Sequence, residues 1–225
     1  MNVLKMSNPV SPYYTPNFYA DALSKGRHRD IVGGRWDETG RAQMAVLMEH
    51  GLQADHHLLD IGAGALRLGC KVVPYLDPGH YWATDLSGDL MERGHEAELS
   101  DKARLPLDHL IEDADFSFPG VPDTITHAIA FAVFTHLPAA HVLRGLTQIR
   151  SKFPMLQKLL FTVFLAPPAS TSLRQPDGVV THNAKAPYHF SAADVCAMTG
   201  SAGFAATECT TRLPRGQRLF LAKPA

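Results

Sequence analysis

The sequence predicts an α/β fold built on a doubly wound, mostly parallel sheet of seven strands that ends in an antiparallel hairpin. Strand-like and helix-like segments alternate from Leu58 onward, as they do when helices connect parallel strands. The stretch 125–134 is almost entirely apolar, which is typical of a parallel strand covered on both faces. Residues 204–213 and 216–224 are two β-like runs with only a proline and an arginine between them, and we expect them to pair at the sheet edge.

The remaining elements follow the same alternation. Further strands are predicted at 57–62, 80–85, 107–116 and 157–166. Helices are predicted at 65–76, 86–99, 138–153 and 191–203. The stretch 167–190 is rich in proline, serine and threonine, which indicates a long loop.

The residues before the first strand are predicted to lie outside the sheet. An irregular arm rich in proline, serine, asparagine and tyrosine leads into a short helix at 16–27, with a proline in its first turn. A second helix follows a pair of glycines and ends near Gly51. Because no repeat or linker is visible, we expect a single domain in which residues 1–51 form an arm and helical cap on a core of residues 52–225.

Composition and charge limit the class of protein. Of the 225 residues, 45% are hydrophobic and 19% charged, which is ordinary for a globular domain and argues against disorder. A net charge of -1 creates no field that would gather nucleic acid or an anionic membrane, so we expect neither as a partner. Three widely spaced cysteines, no signal-like start and no long apolar run predict a soluble, cytoplasmic protein. The oligomeric state stays open, with a homodimer among the alternatives.

The stretch LLDIGAGALRLG, from Leu58 to Gly69, is the most informative part of the chain. Gly62 and Gly64 permit a tight turn and close approach of a ligand to the backbone, and the free amides of a following helix favour a negatively charged group. Asp85 ends the second strand, where a carboxylate can accept hydrogen bonds from both hydroxyl groups of a ribose. Together these features predict a site for a ligand that contains a nucleoside.

Arg67 stands where the dinucleotide-binding fingerprint has its third glycine. That glycine lets the helix pack closely on the sheet beneath a pyrophosphate, so a bulky side chain there argues against a nicotinamide dinucleotide. S-adenosylmethionine is a nucleoside with an amino acid tail and needs no pyrophosphate site. The hypotheses are a methyltransferase, a non-catalytic protein that binds S-adenosylmethionine to regulate or scaffold a partner, and, ranked last, a nicotinamide-dependent oxidoreductase.

Over residues 27–223 the chain resembles the class I S-adenosylmethionine-dependent methyltransferases, a Rossmann-like family. LLDIGAG is similar to their first motif and YWATDLS to their second. LIEDADFSF is similar to the third motif, and AIAFAVFTHLP to the segment that ends the fourth strand. The predicted terminal hairpin also matches the last two strands of the family, which dehydrogenase folds lack. The stretch from Arg27 to Asp85 resembles a bacterial subgroup.

This resemblance implies S-adenosylmethionine as the cofactor. The positions that correspond to cofactor-binding residues are Trp36, Asp60, Gly62, Ala63, Gly64, Arg67, Asp85, Leu86, Asp113, Ala114, Asp115, Phe116, Phe131 and Ala132. By the same correspondence, Asp60 would reach the ammonium group of the cofactor directly or through water, and Asp85 would hold the ribose. Asp113 or Asp115 would face the adenine amino group.

Several of these residues have a second interpretation. Trp36 is either a contact to the cofactor or an anchor in the core. Arg67 either binds the carboxylate of the cofactor or forms a structural ion pair. Phe131 and Ala132 would lie beside the reactive methyl group, and Leu86 would lie against the adenine.

Three residues are candidates for the base that an oxygen or nitrogen acceptor can need: His136, Tyr188 and His189. His136 follows the fourth strand, at the edge where doubly wound sheets bind ligands, but it can equally satisfy backbone groups at a helix start. His182 and His189 are explained more readily as solvated loop residues than as catalytic groups. No acidic pair with metal-ligand spacing follows the fourth strand, so no metal is expected.

The segment after the fourth strand also narrows the acceptor. Methyltransferases of nucleobases and of glutamine carry Asn/Asp-Pro-Pro-Tyr/Phe there, whereas this chain has AFAVFTHL. The prediction is therefore methyl transfer to an oxygen or nitrogen of a small molecule or of a peptide side chain.

Overall fold

The computed structural model describes residues 10–15 and 17–225. The strands are β1 Leu58–Ile61, β2 Tyr81–Asp85, β3 Leu110–Glu112, β4 His127–Ala130, β5 Lys158–Leu165, β6 Ser172–Arg174, β7 Val180–His182, β8 His189–Phe190, β9 Phe204–Glu208 and β10 Arg218–Pro224. The helices are α1 Ala20–Ser24, α2 His28–Ile31, α3 Trp36–Glu49, α4 Gly69–Val72, α5 Gly88–Glu98, α6 Ala139–Lys152 and α7 Ala192–Ser201.

The main sheet runs in the order β3-β2-β1-β4-β5-β10-β9. Strands β1 to β5 pair in parallel, and β10 is antiparallel to both of its neighbours. The predicted doubly wound sheet and terminal hairpin are thereby confirmed. The prediction of seven strands misses β8, which pairs in parallel with the end of β5 as an eighth strand. The order reverses between β1 and β4, and ligands bind at such a point in sheets of this type.

Helices cover both faces of this sheet, which explains why β1 and β4 are buried at every position. On one face, Leu47 of α3 and Met91 of α5 pack in a core that includes Leu58. On the other face, Leu146 of α6 and Val195 of α7 pack in a second core. Removing this apolar surface from water is the main favourable contribution to folding.

Two strands are shorter than predicted because local hydrogen bonds turn the chain. The segment 107–116 forms only β3, since the Asp113 carboxylate accepts hydrogen bonds from amides of the residues that follow it. The segment 125–134 forms only β4, because Ala132 adopts a left-handed backbone with φ 62°. The N–H of Ala132 donates to Thr162 Oγ1 at 2.7 Å and fixes this turn.

The helix predicted at 65–76 is reduced to the single turn α4. Leu66 has a left-handed backbone with φ 59°, which no regular helix accommodates. Pro74 then ends the helix, because it has no N–H and its ring collides with the preceding turn. Residues 62–66, which we call the glycine loop, therefore leave the sheet as a series of tight turns.

The last third of the chain also departs from the prediction. The predicted loop 167–190 contains an antiparallel pair, β6 and β7, as well as β8. The connection within the terminal hairpin spans 209–217 and is longer than the expected two residues. It reaches the N-terminal part of the molecule, where Thr211 donates to the carboxylate of Glu49 and Arg215 donates to the carbonyl of Gly33.

Helices α1 to α3, which we call the cap, lie before the sheet in sequence. The helix predicted at 16–27 corresponds to α1, while Pro16 lies outside the described residues. The carboxylate of Glu98 accepts hydrogen bonds from His28 Nε2 and Arg29 Nε, each at 2.7 Å, and these bonds attach α2 to α5. The boundary between residues 51 and 52 stays a prediction. Within the described residues, no helix has the length and apolar character needed to span a bilayer.

Candidate functional site

A cavity of about 230 Å³ opens at the carboxyl ends of β1, β2 and β4. The glycine loop, the ends of these strands and helix α3 line it, together with residues between Ser11 and Tyr19 and between Pro214 and Gln217. The cavity therefore lies at the point where the strand order reverses, and both ends of the chain contribute to its walls.

The glycine loop presents peptide backbone to this cavity. Gly62 and Gly64 have left-handed backbones with φ of 72° and 57°, a conformation that favours glycine. A Cβ on Gly64 would lie 2.7 Å from Val32 Cγ1, and a Cβ on Gly62 would overlap Val133. Because both glycines line the cavity, a ligand there meets the main chain directly.

The Asp85 carboxylate holds the glycine loop against the end of β2. The N–H of Gly64 donates to Asp85 Oδ2 at 2.8 Å, and the N–H of Ser87 donates to Oδ1 at 3.1 Å. Burial raises the pKa of Asp85 to about 6, although its backbone hydrogen bonds act in the opposite direction. Since each carboxylate oxygen can accept two hydrogen bonds, Asp85 retains acceptor capacity toward the cavity that it lines.

Asp60 is buried within β1 and does not line the cavity. It is 2% exposed, and its Oδ2 accepts a hydrogen bond from the Tyr81 hydroxyl at 2.8 Å. Burial is the largest influence on this carboxyl group and raises its pKa to about 7. The sequence placed Asp60 in direct or water-mediated reach of a cofactor ammonium group, but its depth favours an electrostatic influence through the glycine loop.

Arg67 lines the cavity on the side of the cap. Its Nε donates to Gln43 Oε1 at 3.3 Å, and its Nη1 donates to the carbonyls of Val32 and Gly34 at 3.0 and 3.3 Å. Burial lowers the pKa of this guanidinium to about 10, which still leaves it charged at neutral pH. Within the described residues it forms no ion pair, so the structural ion pair considered from the sequence is absent there.

The segment after β3 contributes main chain and one aromatic ring. Asp113 lines the cavity, but its carboxylate accepts three hydrogen bonds from the amides and hydroxyl of its own turn at Oδ1 and one more at Oδ2. Asp115 does not line the cavity and instead pairs with Arg144 at 3.4 Å. Of the two carboxylates, only Asp113 therefore remains a candidate partner for an adenine amino group, because its Oδ2 can accept a second hydrogen bond, and Ala114 and Phe116 line the cavity beside it.

Strand β4 ends in a turn that closes the far side of the cavity. Phe131 and Ala132 line it, and the Thr162 hydroxyl accepts from the Ala132 N–H and donates to Gln217 Oε1 at 2.7 Å. Left-handed backbone at a non-glycine residue such as Ala132 costs free energy and concentrates at functional sites. This hydrogen-bonded chain joins β4, β5 and the terminal hairpin.

His136 follows this turn and faces the cavity. Its ring meets the ring of Tyr13 edge to face, with centroids 4.8 Å apart. Burial, assisted by the positive charge of Arg215, lowers the pKa of His136 to about 4, so the imidazole is neutral at pH 7. Among the described residues its ring nitrogens have no hydrogen-bond partner, which leaves them available to a ligand.

The comparisons with known proteins rest on structure alone. No family model and no curated protein sequence matches the chain. The Burkholderia thailandensis 1,6-didemethyltoxoflavin-N1-methyltransferase, solved with 1,6-didemethyltoxoflavin and S-adenosylhomocysteine, is 18% identical with a TM-score of 0.62, covering 96% of this chain and 92% of its own. The Synechocystis magnesium protoporphyrin IX methyltransferase with bound S-adenosylhomocysteine is 16% identical with a TM-score of 0.59, covering 92% and 96%.

A third solved structure is an S-adenosylmethionine-dependent methyltransferase from Clostridium acetobutylicum, 10% identical with a TM-score of 0.59, covering 92% of this chain and 99% of its own. These likenesses agree with the strand order and the antiparallel terminal hairpin. The chain has the fold of the class I S-adenosylmethionine-dependent methyltransferases.

Most of the residues selected from the sequence line the cavity of about 230 Å³ described above. These are Gly62, Ala63, Gly64, Arg67, Asp85, Leu86, Asp113, Ala114, Phe116, Phe131, Ala132 and His136. Asp60 and Asp115 do not, for the reasons given above. Within the described residues, no cluster of metal-ligating side chains occurs.

Trp36, Tyr188 and His189 lie elsewhere. Trp36 packs beside α2, with the Arg29 guanidinium 5.2 Å from its ring centroid. The Tyr188 hydroxyl donates to the carbonyl of Val10, and the His189 ring is hydrogen-bonded to the Thr181 hydroxyl and to the carbonyl of Ser170. Both side chains are buried. They lie at or next to β8, which pairs with the end of β5 within the stretch that the sequence predicted as a loop. Similarly, His182 belongs to β7.

Other residues of the cavity escaped the sequence analysis. They are Tyr13, Tyr14, Tyr19, Thr39, Gln43, Arg215 and Gln217. Thr39 and Gln43 carry a usable sequence signal, since residues at i and i+4 share one face of a helix. In the structure both side chains are buried, which is uncommon for polar residues. The tyrosines stand out only as an aromatic run in the arm. Arg215 and Gln217 follow a proline in a turn and carry no local signal.

Proposed function

We propose that this protein transfers a methyl group from S-adenosylmethionine to an oxygen or nitrogen atom of a small molecule. One observation carries the proposal: a single cavity combines the glycine loop, the Asp85 carboxylate and the Arg67 guanidinium. Together they complement a nucleoside with a zwitterionic amino acid tail. Arg67 occupies the place that a pyrophosphate-binding helix would need, which argues against a nicotinamide dinucleotide.

The residues fit the separate parts of this cofactor. Asp85 would accept hydrogen bonds from the ribose hydroxyls, and Arg67 would pair with the carboxylate of the amino acid tail. The main chain at Gly62 and Gly64 allows close approach, since neither position has room for a Cβ. Asp60, buried beneath the loop, would favour the cofactor's positive charges through its own negative charge.

S-adenosylmethionine held by these residues would supply an electrophilic methyl group to an oxygen or nitrogen of the acceptor. The protein has to orient the acceptor and exclude water, and such positioning provides much of the acceleration of methyl transfer. Val133 and Leu137 provide apolar wall for this purpose. We assign His136 to the acceptor's O–H or N–H, because its neutral ring can accept that hydrogen bond and then the proton.

A small molecule is the acceptor that we favour over a peptide. The arm, the cap and the loop 209–217 contribute walls on several sides of the cavity, which leaves limited room for a folded protein to approach. Two of the similar structures are named for small-molecule substrates, 1,6-didemethyltoxoflavin and magnesium protoporphyrin IX. We also infer a cytoplasmic location, since all three cysteines are free thiols.

Calorimetric titration tests the cofactor assignment. We expect S-adenosylhomocysteine to bind and to raise the melting temperature, and NAD and NADP to do neither. Asp85→Asn should weaken S-adenosylhomocysteine binding about tenfold or more, because it loses a charged acceptor of the ribose hydrogen bonds. Asp115→Asn, an exposed carboxylate outside the cavity, is the matched control and should leave the affinity unchanged.

Binding of a nicotinamide dinucleotide without binding of S-adenosylhomocysteine would overturn the proposal. Binding of S-adenosylhomocysteine with no methylated product from any acceptor would instead support the non-catalytic alternative.

A further inference from the structure

The cavity has two ends that follow the order of the strands. One end lies over β1, β2 and β3, where the glycine loop and Asp85 are. The other end lies over β4 and the terminal hairpin, and we call it the acceptor end. It is formed by Tyr13, Val133, His136, Leu137 and Arg215.

Arg215 is held at the acceptor end by its main chain and by one hydrogen bond. Its backbone is left-handed with φ 65°, a conformation that residues with a side chain seldom adopt. One guanidinium nitrogen, Nη2, donates to the carbonyl of Gly33. Because an arginine has five N–H donors in a planar fork, most of its donor capacity remains for a ligand.

Arg215 is exposed to solvent as well as lining the cavity. Among the described residues it forms no ion pair, although Arg29, Arg144 and Arg218 each pair with a carboxylate. The two acidic side chains of the cavity wall, Asp85 and Asp113, lie at the opposite end and accept backbone hydrogen bonds there. The neighbouring ring of His136 is neutral at pH 7 and cannot supply a negative charge.

The other walls of the acceptor end suit a flat apolar body. The rings of Tyr13 and His136 meet at 84°, which creates a corner between two planar surfaces. Val133 and Leu137 add aliphatic side chains to the wall, and Phe131 lies toward the other end, where the glycine loop and Asp85 are. Aromatic rings pack well in such a corner, through edge-to-face and offset contacts.

We propose that the acceptor is a small aromatic carboxylate whose carboxylate group pairs with Arg215. This inference rests on the proposed methyl transfer, since it identifies the ligand for the second end of the same cavity. A hydroxyl or amino group on the ring is methylated: its lone pair forms the bond to the methyl carbon, and the electrons of the broken carbon–sulfur bond remain on sulfur. The proton of that group passes to His136 and then to water.

Calorimetry on protein saturated with S-adenosylhomocysteine tests this assignment. The probes are benzoate, para-hydroxybenzoate and para-aminobenzoate, each compared with the neutral amide of the same shape. We expect at least one carboxylate to bind about tenfold or more tightly than its amide. Arg215→Gln should abolish that preference, and Arg215→Lys should retain part of it, since a lysine keeps the charge but loses the planar fork.

Arg212→Gln is the matched control, because Arg212 is an exposed arginine of the same loop that does not line the cavity. It should preserve the preference for the carboxylate. Equal affinities of every carboxylate and its amide, or an undiminished preference in Arg215→Gln, would overturn the inference. If S-adenosylhomocysteine binds in either case, the proposed methyl transfer is unaffected. Failure of S-adenosylhomocysteine to bind overturns both.

Discussion

Two carboxyl groups near the glycine loop have pKa values close to neutrality. Burial raises the pKa of Asp60 to about 7 and that of Asp85 to about 6. Their cause is the same, because removing a carboxylate from water disfavours its charged form. A ligand that brings positive charge or hydroxyl donors into the cavity relieves this penalty, so ligand binding and deprotonation of these groups are linked.

We therefore expect the affinity for S-adenosylhomocysteine to fall as the pH is lowered from 7.5 to 5.5. Its ammonium and ribose hydroxyls favour the ionised carboxylates, and protonation through pH 7 to 6 removes these partners. Calorimetry in buffers of equal ionic strength measures the effect, and Asp85→Asn should flatten the part of the profile near pH 6. An affinity that is constant across this range would contradict the assignment of Asp85 to the ribose.

The pKa of His127 is shifted in the direction opposite to those of the two carboxyl groups. This residue begins β4, at the amino-terminal ends of the parallel strands. Its ring stacks on His56 with centroids 4.2 Å apart, and its buried Nε2 has no hydrogen-bond partner in the described part of the chain. Burial, with smaller effects from His56 and Lys158, lowers its pKa to about 4. The unfolded chain binds this proton near pH 6.5, so the stabilising contribution is present above that pH and is lost as the pH falls toward 4.

Because the unfolded chain takes up this proton and the folded protein largely does not, the free energy of unfolding should fall by about 1 to 2 kcal/mol between pH 7.5 and pH 5. His127→Phe removes the titrating group and should reduce the pH dependence by that amount in urea denaturation. His141→Phe, a histidine on α6 beyond the opposite end of β4, is the control. An identical pH dependence in wild type and His127→Phe would exclude this explanation. Asp60 and Asp85 act in the opposite direction, since their raised pKa values favour the folded state at low pH.

At the scale of elements, the attachment of α2 to α5 depends on one carboxylate. The Glu98 side chain is 6% exposed and accepts hydrogen bonds from His28 Nε2, Arg29 Nε and Arg29 Nη2, each at 2.7 Å. The hydrogen bonds from Arg29, with a smaller effect from His28, lower the pKa of Glu98 below its usual range, although burial acts in the opposite direction. The glycine-rich turn at Gly33 and Gly34, whose carbonyls contact Arg215 and Arg67, directly follows α2.

We expect Glu98→Gln to destabilise the protein by about 2 kcal/mol, because it weakens charge-assisted bonds in a nearly buried setting. It should also speed hydrogen exchange in α2 and weaken S-adenosylhomocysteine binding. Glu96→Gln on the same helix removes a carboxylate that is 68% exposed and pairs with Lys102 at the surface, and it should leave the stability nearly unchanged. Equal losses in the two variants would show that the contacts of Glu98 have no special role.

At the scale of the whole molecule, β5 is the most enclosed part of the sheet. It lies between β4 and β10, and six consecutive residues of it are buried. The cavity, in contrast, is lined by turns, by the ends of strands, by part of α3 and by two chain segments that are distant in sequence. Local opening should be rare at β5 and frequent around the cavity, because the free energy of opening follows burial and hydrogen bonding.

Hydrogen exchange measured by mass spectrometry tests this distribution. In the free protein we expect the slowest exchange at Leu159–Phe164. Saturation with S-adenosylhomocysteine should slow exchange at 31–34, 62–66 and 113–116, since a ligand specific for the native state opposes opening where it binds. The β6–β7 pair does not line the cavity and is the internal control. Protection spread evenly over the chain would contradict a site confined to this cavity.

The comparison of prediction and structure separates local signals from distant ones. The order of strands and helices follows from hydrophobic periodicity, which is a property of neighbouring residues. Helix α3 fits its sequence because its ends are marked by glycines, whereas α4 is short because Leu66 takes a left-handed backbone that its side chain does not favour. Such departures are decided by packing around the cavity.

By itself, the sequence determined the doubly wound sheet, its terminal hairpin and the pairing of the glycine loop with Asp85, because alternation and glycine spacing act over short stretches of chain. Only the tertiary structure decided that Tyr13 and Arg215, separated by most of the chain, share one cavity. It also decided that Asp60 lies below that cavity and that His189 lies away from it. The physical reason is that contacts between distant segments depend on how whole layers pack, which no local pattern encodes.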